Sequence, residues 1–382
     1  MFNKTKVCHL TSVHSAIDTR IFYKECRTLA QAGYEVVLVV THDKNDVIDG
    51  VRIRAVPKPK NRRERMTKTV RQVYKAAVAE DAYIYHFHDP ELIPVGIMLQ
   101  LKGKKVIYDV HEDVPKQILT KYWIPSFLRR AASASASLFE KIGSKFFDGI
   151  VAATQTIADK FPLDKTAAVQ NFPMLNELVT PDATPYPNRP NNIVYVGGIT
   201  ALRGIREMVQ AVELLPETLK ARLCLAGAFS PAELYDEICV MPGWGRVEFL
   251  GWQSREQVAA LLGRVRAGLV LLHPTLNYYD ALPVKLFEYM SAGVPVIASD
   301  FPLWRKIVER AGCGLVADPL DPHAIASAIE WLLTHPDEAE AMGKRGQEAV
   351  RKLYNWEIES KKLRAFYEKI LTGKGADVSG HF

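Results

Sequence analysis

The sequence predicts two consecutive α/β domains, each built on a parallel sheet that helices cover on both faces. The chain has 382 residues, which is too many for one ordinary hydrophobic core. Short apolar runs alternate with amphipathic segments in both halves, which is typical of a doubly wound sheet. Between the halves, residues 180–192 contain four prolines and several turn formers. A helix or a central strand is therefore not expected in that segment.

The first domain is predicted to span residues 1–180. Its second strand, 34–41, reads YEVVLVVT and lacks polar alternation, as expected for a strand buried on both faces. A helix over 20–33 places Phe22, Cys26 and Leu29 on one face and ends at Gly33. The other strands of this domain are predicted at 7–13, 51–57, 82–88, 104–111 and 147–154.

The linker is predicted at 181–192 and the second domain at 193–355. Within the second domain the alternation restarts, and a helix is predicted over 204–215. A further helix over 356–372 carries apolar side chains that are available for packing, and the tail 373–382 is expected to be flexible. Strands are predicted at 192–198, 221–227, 247–251, 267–272, 294–300 and 313–319.

The composition is that of a globular protein, with 48% hydrophobic and 24% charged residues. No stretch reaches the roughly 18–20 apolar residues of a membrane span, and the first residues lack an apolar signal core. Five dispersed cysteines without a C-x-x-C pair predict reduced thiols in a cytoplasmic protein.

The formal net charge of +6 is unevenly distributed, because basic residues cluster in the first half at 62–71, 102–105 and 116–145. Two interpretations stay open for these clusters. One is a solvated basic face, and the other is a surface that attracts anionic lipid or a phosphorylated acceptor. Nucleic acid is not expected as a partner, because no binding motif accompanies the charge.

The most informative segment is 280–288, DALPVKLFE, which reads as a loop followed by a short helix over 283–292. Pro283 suits the first helical turn, whose free N–H groups favour a phosphate. Lys285 and Glu288 share one helix face, so the cation can neutralise a diphosphate and the carboxylate can accept from ribose hydroxyls. Asp280 precedes the helix and would reach the sugar. The alternative is an exposed helix with an incidental Lys–Glu pair.

Two glycine-containing strand ends support the phosphate interpretation. In YVGGITALRG, Gly197 and Gly198 let an anion approach the main chain, and Arg203 can fork two phosphate oxygens. Gly227 ends the strand LCLAG and suits a flat base lying against main chain. Ordinary tight turns would explain both glycine sites equally well.

The second half resembles the donor domain of the retaining glycosyltransferases of family 4, also called group 1, of the bacterial surface-polysaccharide type. The matching segments are VGGITALRG, LAG, VEFLGWQSREQVAALL, DALPVKLFE with YMSAGVPVIASD, and GCGLVADPLDPHAIASAI. They cover almost all of the second half. The resemblance implies the GT-B architecture, in which two Rossmann-like doubly wound domains face a central cleft, with the C-terminal helix packing back on the first domain.

The family's site roles transfer to this sequence residue by residue. The resemblance implies that Arg203 and Lys285 hold the diphosphate, that Glu288 binds the ribose, and that His111 and Asp280 contact the transferred sugar. The chain departs from the family twice, with Asp280 where the family usually has Glu and with Gly197-Gly198 where Gly-Arg is common. The catalytic set is therefore His111, Arg203, Lys285 and Asp280. The donor-binding set is Gly197, Gly198, Arg203, Gly227, Trp252, Asp280, Leu282, Pro283, Lys285 and Glu288.

The acceptor-side set in the first half is Asp18, Arg20, His88 and Asp113. Asp18 and Arg20 follow the first strand and could bind a sugar hydroxyl, or they could be a helix cap and a solvated arginine. His86 and His88 alternate at a strand end with Asp89 and Glu91 nearby. A hydrogen-bonding role for these histidines is favoured over a metal site, and no metal is expected.

These observations predict transfer of a sugar from a UDP- or GDP-linked donor to a glycan or lipid-linked glycan hydroxyl, with retention and without an essential metal. No cofactor is expected, because the nucleotide sugar is a co-substrate. The enzyme is expected in the cytoplasm, at the inner face of the membrane if the basic face binds lipid. Two alternatives stay open: a nucleotide-sugar epimerase of the same architecture, and a non-catalytic nucleotide-sugar binding protein.

Overall fold

The computed structural model describes residues 4–120 and 124–373 of the chain. The flexible tail that the sequence predicts at 373–382 lies outside the described residues except for Gly373. The chain divides into two compact units. One comprises residues up to Asn171 together with those from Glu357 onward, and the other runs from Phe172 to Trp356.

The first unit contains an eight-stranded sheet of order β3-β4-β2-β1-β5-β6-β7-β8, in which only the β3–β4 pair is antiparallel. The strands are β1 Lys6–Leu10, β2 Glu35–Thr41, β3 Asp46–Ile48, β4 Val51–Val56, β5 Ile84–Phe87, β6 Lys105–Val110, β7 Gly149–Ala152 and β8 Thr166–Ala168. The interior of β2, Val36–Val40, is fully buried, which confirms the prediction drawn from its unbroken apolar run.

The helices of the first unit lie between these strands. A π-helical turn, Thr19–Cys26, leads directly into α1, and Gly33 with φ +96° follows the end of α1. A second π-helical turn, Arg65–Thr69, joins α2 to α3. Short 3₁₀ turns cover Pro90–Leu92 and Leu163–Lys165. The α-helices are α1 Arg27–Gln31, α2 Arg62–Glu64, α3 Val70–Glu80, α4 Ile93–Leu101, α5 Val114–Thr120, α6 Ser126–Phe146 and α7 Gln155–Ala158.

The second unit contains a six-stranded, fully parallel sheet of order β11-β10-β9-β12-β13-β14. Its strands are β9 Asn192–Val196, β10 Arg222–Ala226, β11 Val247–Gly251, β12 Ala267–Val270, β13 Val296–Ser299 and β14 Gly314–Ala317. Its helices are α8 Ile205–Leu214, α9 Leu234–Cys239, α10 Arg255–Leu262, α11 Val284–Ser291, α12 Pro302–Ala311, α13 Pro322–Thr334 and α14 Pro336–Lys352. Short 3₁₀ turns cover Tyr186–Asn188, Ala201–Arg203, Glu217–Leu219 and Pro242–Arg246.

The segment predicted as a linker packs on the second unit, and the two compact units divide between Asn171 and Phe172. Phe172 is buried and its ring lies 4.7 Å from that of Phe287. Tyr186 is buried and donates its hydroxyl to the Arg266 carbonyl, and the Thr184 N–H bonds the Gly263 carbonyl. These apolar and hydrogen-bonded contacts hold the proline-rich segment against the second unit.

The last helix, α15 Trp356–Thr372, contributes to the first unit. Tyr367 is fully buried there, and a Cβ on Gly149 would lie 2.6 Å from the Phe366 ring. The sequence therefore identified both this helix and the domain on which it packs. All five cysteines are free thiols. Among the described residues, no helix combines the length and apolar character that crossing a membrane requires.

A buried carboxyl on α6 gives the first unit a specific pH response. Burial raises the pKa of the Glu140 carboxyl to about 7, despite an opposing hydrogen bond from the Tyr108 hydroxyl. The folded state therefore binds more protons than the unfolded chain between the ordinary pKa of 4.5 and about 7. Over that window the free energy of unfolding falls as the pH rises, by about 3 kcal/mol at most.

Replacing Glu140 by Gln keeps the size of the side chain and removes its titration. We expect Glu140→Gln to be more stable than the parent at pH 8 and equally stable at pH 4.5, as measured by denaturant unfolding. The control is Glu233→Gln, at an exposed position. An unchanged pH dependence in Glu140→Gln would refute the assignment.

Candidate functional site

Three glycines close the carboxyl ends of neighbouring strands in the second unit. Gly197, Gly227 and Gly251 follow or end β9, β10 and β11, with φ of +126°, +147° and +65°. The Gly197 N–H bonds the Ala226 carbonyl and the Gly227 N–H bonds the Gly251 carbonyl. A Cβ on Gly227 would lie 1.9 Å from the Gly197 oxygen. Only glycine fits at 227, so the strand ends form a floor of bare main chain.

Two cationic side chains meet above this floor. A Cβ on Gly197 would lie 3.3 Å from Lys285 Nζ and 3.8 Å from Arg203 Nη1, and one on Gly198 would lie 3.2 Å from Arg203 Nη1. The same Arg203 nitrogen donates to the Gly198 carbonyl at 3.1 Å. The two predicted diphosphate ligands, 82 positions apart in the sequence, therefore lie over the predicted glycine pair. We call the group Gly197, Gly198, Arg203 and Lys285 the cation cradle.

Lys285 is the more unusual of the two cations. Its Nζ is shielded from solvent and has no hydrogen-bond partner among the described residues. The ammonium lies 3.8 Å from the centroid of the Tyr195 ring. Burial and then the charge of Arg203 hold the pKa of Lys285 well below its usual value, against the opposing effect of Glu288. A bound anion would favour the protonated form of Lys285, because its negative charge offsets both the desolvation of the ammonium and the repulsion by Arg203.

The helix that carries Lys285 begins where the sequence predicted. Helix α11 runs from Val284 to Ser291 with Pro283 as its N-cap residue, and no side chain caps its first turn. The N–H groups at this end and the helix dipole add to the positive potential of the cation cradle. Lys285 is the second residue of the helix, so its charge lies on the first turn.

Glu288 pairs with a residue for which the sequence suggested no role. Arg255 donates from Nη1 to Glu288 at 2.8 Å and from Nε to Glu177 at 2.8 Å. Lys285 and Glu288 form no ion pair of their own within the described residues, so the alternative of an incidental Lys–Glu pair is wrong. Arg255 lies in the segment 247–262 that carries the family resemblance, but no local pattern connects it with a glutamate 33 positions later.

The remaining donor-side residues surround α11 and β11. Asp280 is partly buried in the turn before α11. The indole N–H of Trp304 donates to the carbonyl of the next residue, Ala281, at 2.7 Å. Leu282 packs against the hydrophobic core of the second unit. Trp252 follows β11 and is 77% exposed. The roles of Asp280, Leu282 and Trp252 in donor binding stay predictions.

In the first unit, Asp109 organises most of the predicted polar residues. Arg20 is buried and donates hydrogen bonds to this carboxylate from Nε and Nη2, at 3.1 and 2.8 Å. Its Nη1 donates to the Val169 carbonyl. Arg20 is only 4% exposed, so the alternative of a solvated arginine is wrong. Its contact with a sugar hydroxyl stays a prediction. The attraction between the two buried opposite charges offsets the cost of removing them from water. A short sequence pattern does not reveal such a pair.

The side chain of His88 is buried beside Asp109, and its acceptor-side role stays a prediction. It bonds Asp109 through Nδ1 at 3.0 Å and His9 through Nε2 at 2.9 Å. His111 follows β6 with 16% of its side chain exposed, and its Nε2 lies 2.5 Å from Asp109. The predicted contact of His111 with the donor sugar stays a prediction.

Asp18 and Asp113 both cap helical segments. Asp18 accepts from the Arg20 and Ile21 N–H groups and lies 3.3 Å from His14 Nδ1. This matches the helix cap that the sequence offered as one reading of Asp18. Asp113 accepts from the Lys116 N–H at the start of α5 and pairs with Lys160. These contacts account for both carboxylates structurally, and their acceptor roles stay predictions.

Comparisons with known proteins agree along most of the chain. The family model of the glycosyl transferases group 1 matches residues 180–349, and that of glycosyltransferase family 4 matches residues 19–162. D-rhamnosyltransferase WbpZ of Pseudomonas aeruginosa is 25% identical over 74% of this chain and 72% of its own length. O-antigen chain mannosyltransferase B of Escherichia coli is 31% identical over 43% of this chain and 42% of its own.

Solved structures agree in fold over nearly the whole chain. Sucrose-phosphate synthase from Thermosynechococcus elongatus superposes with a TM-score of 0.76 at 20% identity, covering 97% of this chain and all of that one. Anabaena HepE, solved in complex with UDP-glucose, superposes with a TM-score of 0.71 at 13% identity, covering 95% of this chain and 99% of that one. At these identities the likeness concerns the fold.

Proposed function

We propose a specific reaction for this chain, which belongs to the group 1 glycosyltransferases of family 4 and has their GT-B fold of two Rossmann-like domains. It transfers a sugar from a UDP- or GDP-linked donor to a hydroxyl of a glycan or lipid-linked glycan. Transfer retains the anomeric configuration and needs no metal for the chemical step. The observation that carries the proposal is the cation cradle, in which Lys285 and Arg203 converge over the glycine pair.

The cradle supplies the charge that a departing diphosphate requires. When the bond between the anomeric carbon and the phosphate oxygen breaks, negative charge grows on the diphosphate. Lys285 Nζ, Arg203 Nη1 and the N–H groups of α11 are fixed in place before the reaction, so they stabilise this charge without reorganising. Because these groups do the work that a divalent cation does elsewhere, no metal is needed at the leaving group.

Retention follows from attack on the face that the diphosphate leaves. The acceptor oxygen bonds to the anomeric carbon on that face, and the acceptor proton passes to the departing phosphate oxygen. This step balances without a protein nucleophile. It is the family's mechanism, and the cradle supports it by holding the leaving phosphate close to the reacting carbon.

The ribose half of the donor is assigned to Glu288. Its ion pair with Arg255 fixes one carboxylate oxygen, and the fixed carboxylate is preorganised to accept from ribose hydroxyls. Of the two proposed carriers, uridine diphosphate has the support of HepE, a protein of the same fold whose structure holds UDP-glucose.

For the acceptor we favour a lipid-linked glycan at the cytoplasmic face of a membrane. Helix α6 exposes several large apolar side chains beside Arg130, Lys141 and Lys145, a mixture that suits the surface of an anionic bilayer. The O-antigen mannosyltransferase among the relatives supports a polysaccharide product. The exposed apolar residues of α6 are Phe127, Leu128, Leu138, Phe139, Ile142 and Phe146. Lys121 of the basic clusters lies outside the described residues.

A panel of sugar nucleotides tests the reaction without knowledge of the acceptor. We expect one UDP or GDP sugar to be hydrolysed slowly, releasing nucleoside diphosphate, and anionic vesicles to sediment the enzyme. An epimerase would instead interconvert two sugar nucleotides without releasing the diphosphate. A binding protein would gain thermal stability with a sugar nucleotide and release nothing. Either of these outcomes would overturn the proposal.

A further inference from the structure

Four side chains that can bind a metal converge inside the first unit. His9 lies on β1 and His86 on β5, and the two are neighbours across the parallel strand pair. His88 follows β5, and Glu25 comes from the π-helical turn Thr19–Cys26. One ligand atom from each of the four lies within 4.8 Å of the others. We call His9, Glu25, His86 and His88 the buried histidine cluster.

Some polar atoms of the cluster have no hydrogen-bond partner. All four residues are buried, three of them completely. His86 Nε2 and both carboxylate oxygens of Glu25 make no hydrogen bond among the described residues. Arg20 Nε lies 3.1 Å from Glu25, but the Arg20 guanidinium is already committed to Asp109. Burying a polar group without a full set of partners is unfavourable, so His86 Nε2 and the Glu25 carboxylate, which shares Arg20 with Asp109, call for a further partner.

The opposite nitrogen of each histidine is already held by a neighbour. His86 Nδ1 lies 2.8 Å from the Tyr367 hydroxyl, and His9 Nε2 lies 3.4 Å from the same oxygen. His88 Nδ1 lies 3.0 Å from Asp109. This leaves His86 Nε2 without a partner, and His9 Nδ1 and His88 Nε2 lie 2.9 Å apart. The Glu25 carboxylate lies 3.9 Å from His86 Nδ1. An imidazole with one nitrogen held by an oxygen and the other turned inward is the usual arrangement around a bound metal.

We propose that the buried histidine cluster binds one structural Zn²⁺ ion through His9, His86, His88 and Glu25. Three neutral imidazoles and one carboxylate suit zinc, and four protein ligands complete its tetrahedral shell. Because the cluster has no exposed face, the ion has no position for water or substrate and takes no part in sugar transfer. It links β1, β5 and the first helical turn, and through Tyr367 it also fixes α15.

Metal analysis of the intact protein tests this inference directly. The protein is purified without chelator or metal-affinity tag, and its metals are measured by plasma mass spectrometry. We expect about one zinc ion per chain. Strong chelation should lower Tm by about 5 °C or more, and adding zinc back should restore it. These readouts do not use transferase activity, so they fail or succeed independently of the proposed function.

Variants locate the ion. Glu25→Gln and His86→Gln should each lose zinc, whereas His42→Gln, at a partly exposed position of the same unit, should keep it. If the site variants do not fold, the chelation experiment on the unaltered chain decides. Zinc that persists in both folded site variants would overturn the proposal. So would a protein that stays metal-free and keeps the same Tm after zinc addition, since the cluster would then be a network closed by a protonated Glu25.

Discussion

Replacing Lys285 by alanine lowers kcat for sugar transfer by about 10²–10³-fold, because it removes a preorganised positive charge from the leaving diphosphate. The buried ammonium has no partner within the described part of the second unit, so no other contact compensates for its loss. The measurement is release of nucleoside diphosphate at saturating donor. Arg203→Ala should act in the same direction and less severely, since its guanidinium also bonds the Gly198 carbonyl.

The matched control is Lys306→Ala, which removes an exposed lysine from α12 of the same unit. Its turnover should equal that of the parent. Normal turnover in both Lys285→Ala and Arg203→Ala would remove the cradle from the mechanism. Loss of turnover in all three variants would mean that the second unit tolerates no substitution and that the assay does not report on the cradle.

Replacing Gly227 by alanine lowers the free energy of unfolding of the second unit by about 3 kcal/mol or more. The backbone at 227 has φ +147°, which disfavours any residue with a Cβ, and that Cβ would lie 1.9 Å from the Gly197 carbonyl oxygen. The clash is relieved only if the backbone at Gly197 or at Gly227 moves, so we expect the cation cradle to be distorted as well. Denaturant unfolding measures the first effect, and nucleoside diphosphate affinity measures the second.

Gly245→Ala provides the comparison, because its φ is ordinary and no atom lies within 4 Å of the added Cβ. We expect its stability to stay within about 0.5 kcal/mol of the parent. If Gly227→Ala were as stable as Gly245→Ala and bound nucleotide equally well, the close approach of β9 and β10 at their carboxyl ends would be refuted.

The features that the sequence predicted well are those that local patterns encode. Unbroken apolar runs identified the parallel strands, and Pro283 and Gly293 marked the limits of α11 to within one or two residues. The glycines at 197, 198 and 227 were located because each follows a strand. Residues that follow parallel strands lie together at the carboxyl edge of the sheet. Knowing that each glycine follows a strand was therefore enough to predict that these glycines lie close together.

The features that were missed depend on contacts between distant residues. Arg20 was expected in solvent or on a ligand, yet it pairs inside the protein with Asp109, 89 positions away. Arg255 and Glu288 are joined across 33 positions. Charged residues are normally exposed, so a sequence pattern cannot indicate which ones are buried in pairs. The packing of Phe172 on Phe287 is likewise a tertiary contact that no local pattern indicates.

If the cation cradle binds the diphosphate of the donor, removing its two cations must weaken nucleotide binding. Titration calorimetry of UDP, GDP and the two nucleosides against the parent and the double variant Arg203→Ala/Lys285→Ala measures this effect. We expect one diphosphate to bind the parent at least about 100-fold more tightly than the double variant, a difference of about 2.7 kcal/mol. The matching nucleoside should bind both proteins equally weakly. Equal affinity of the diphosphate for the two proteins would show that the cradle does not bind it.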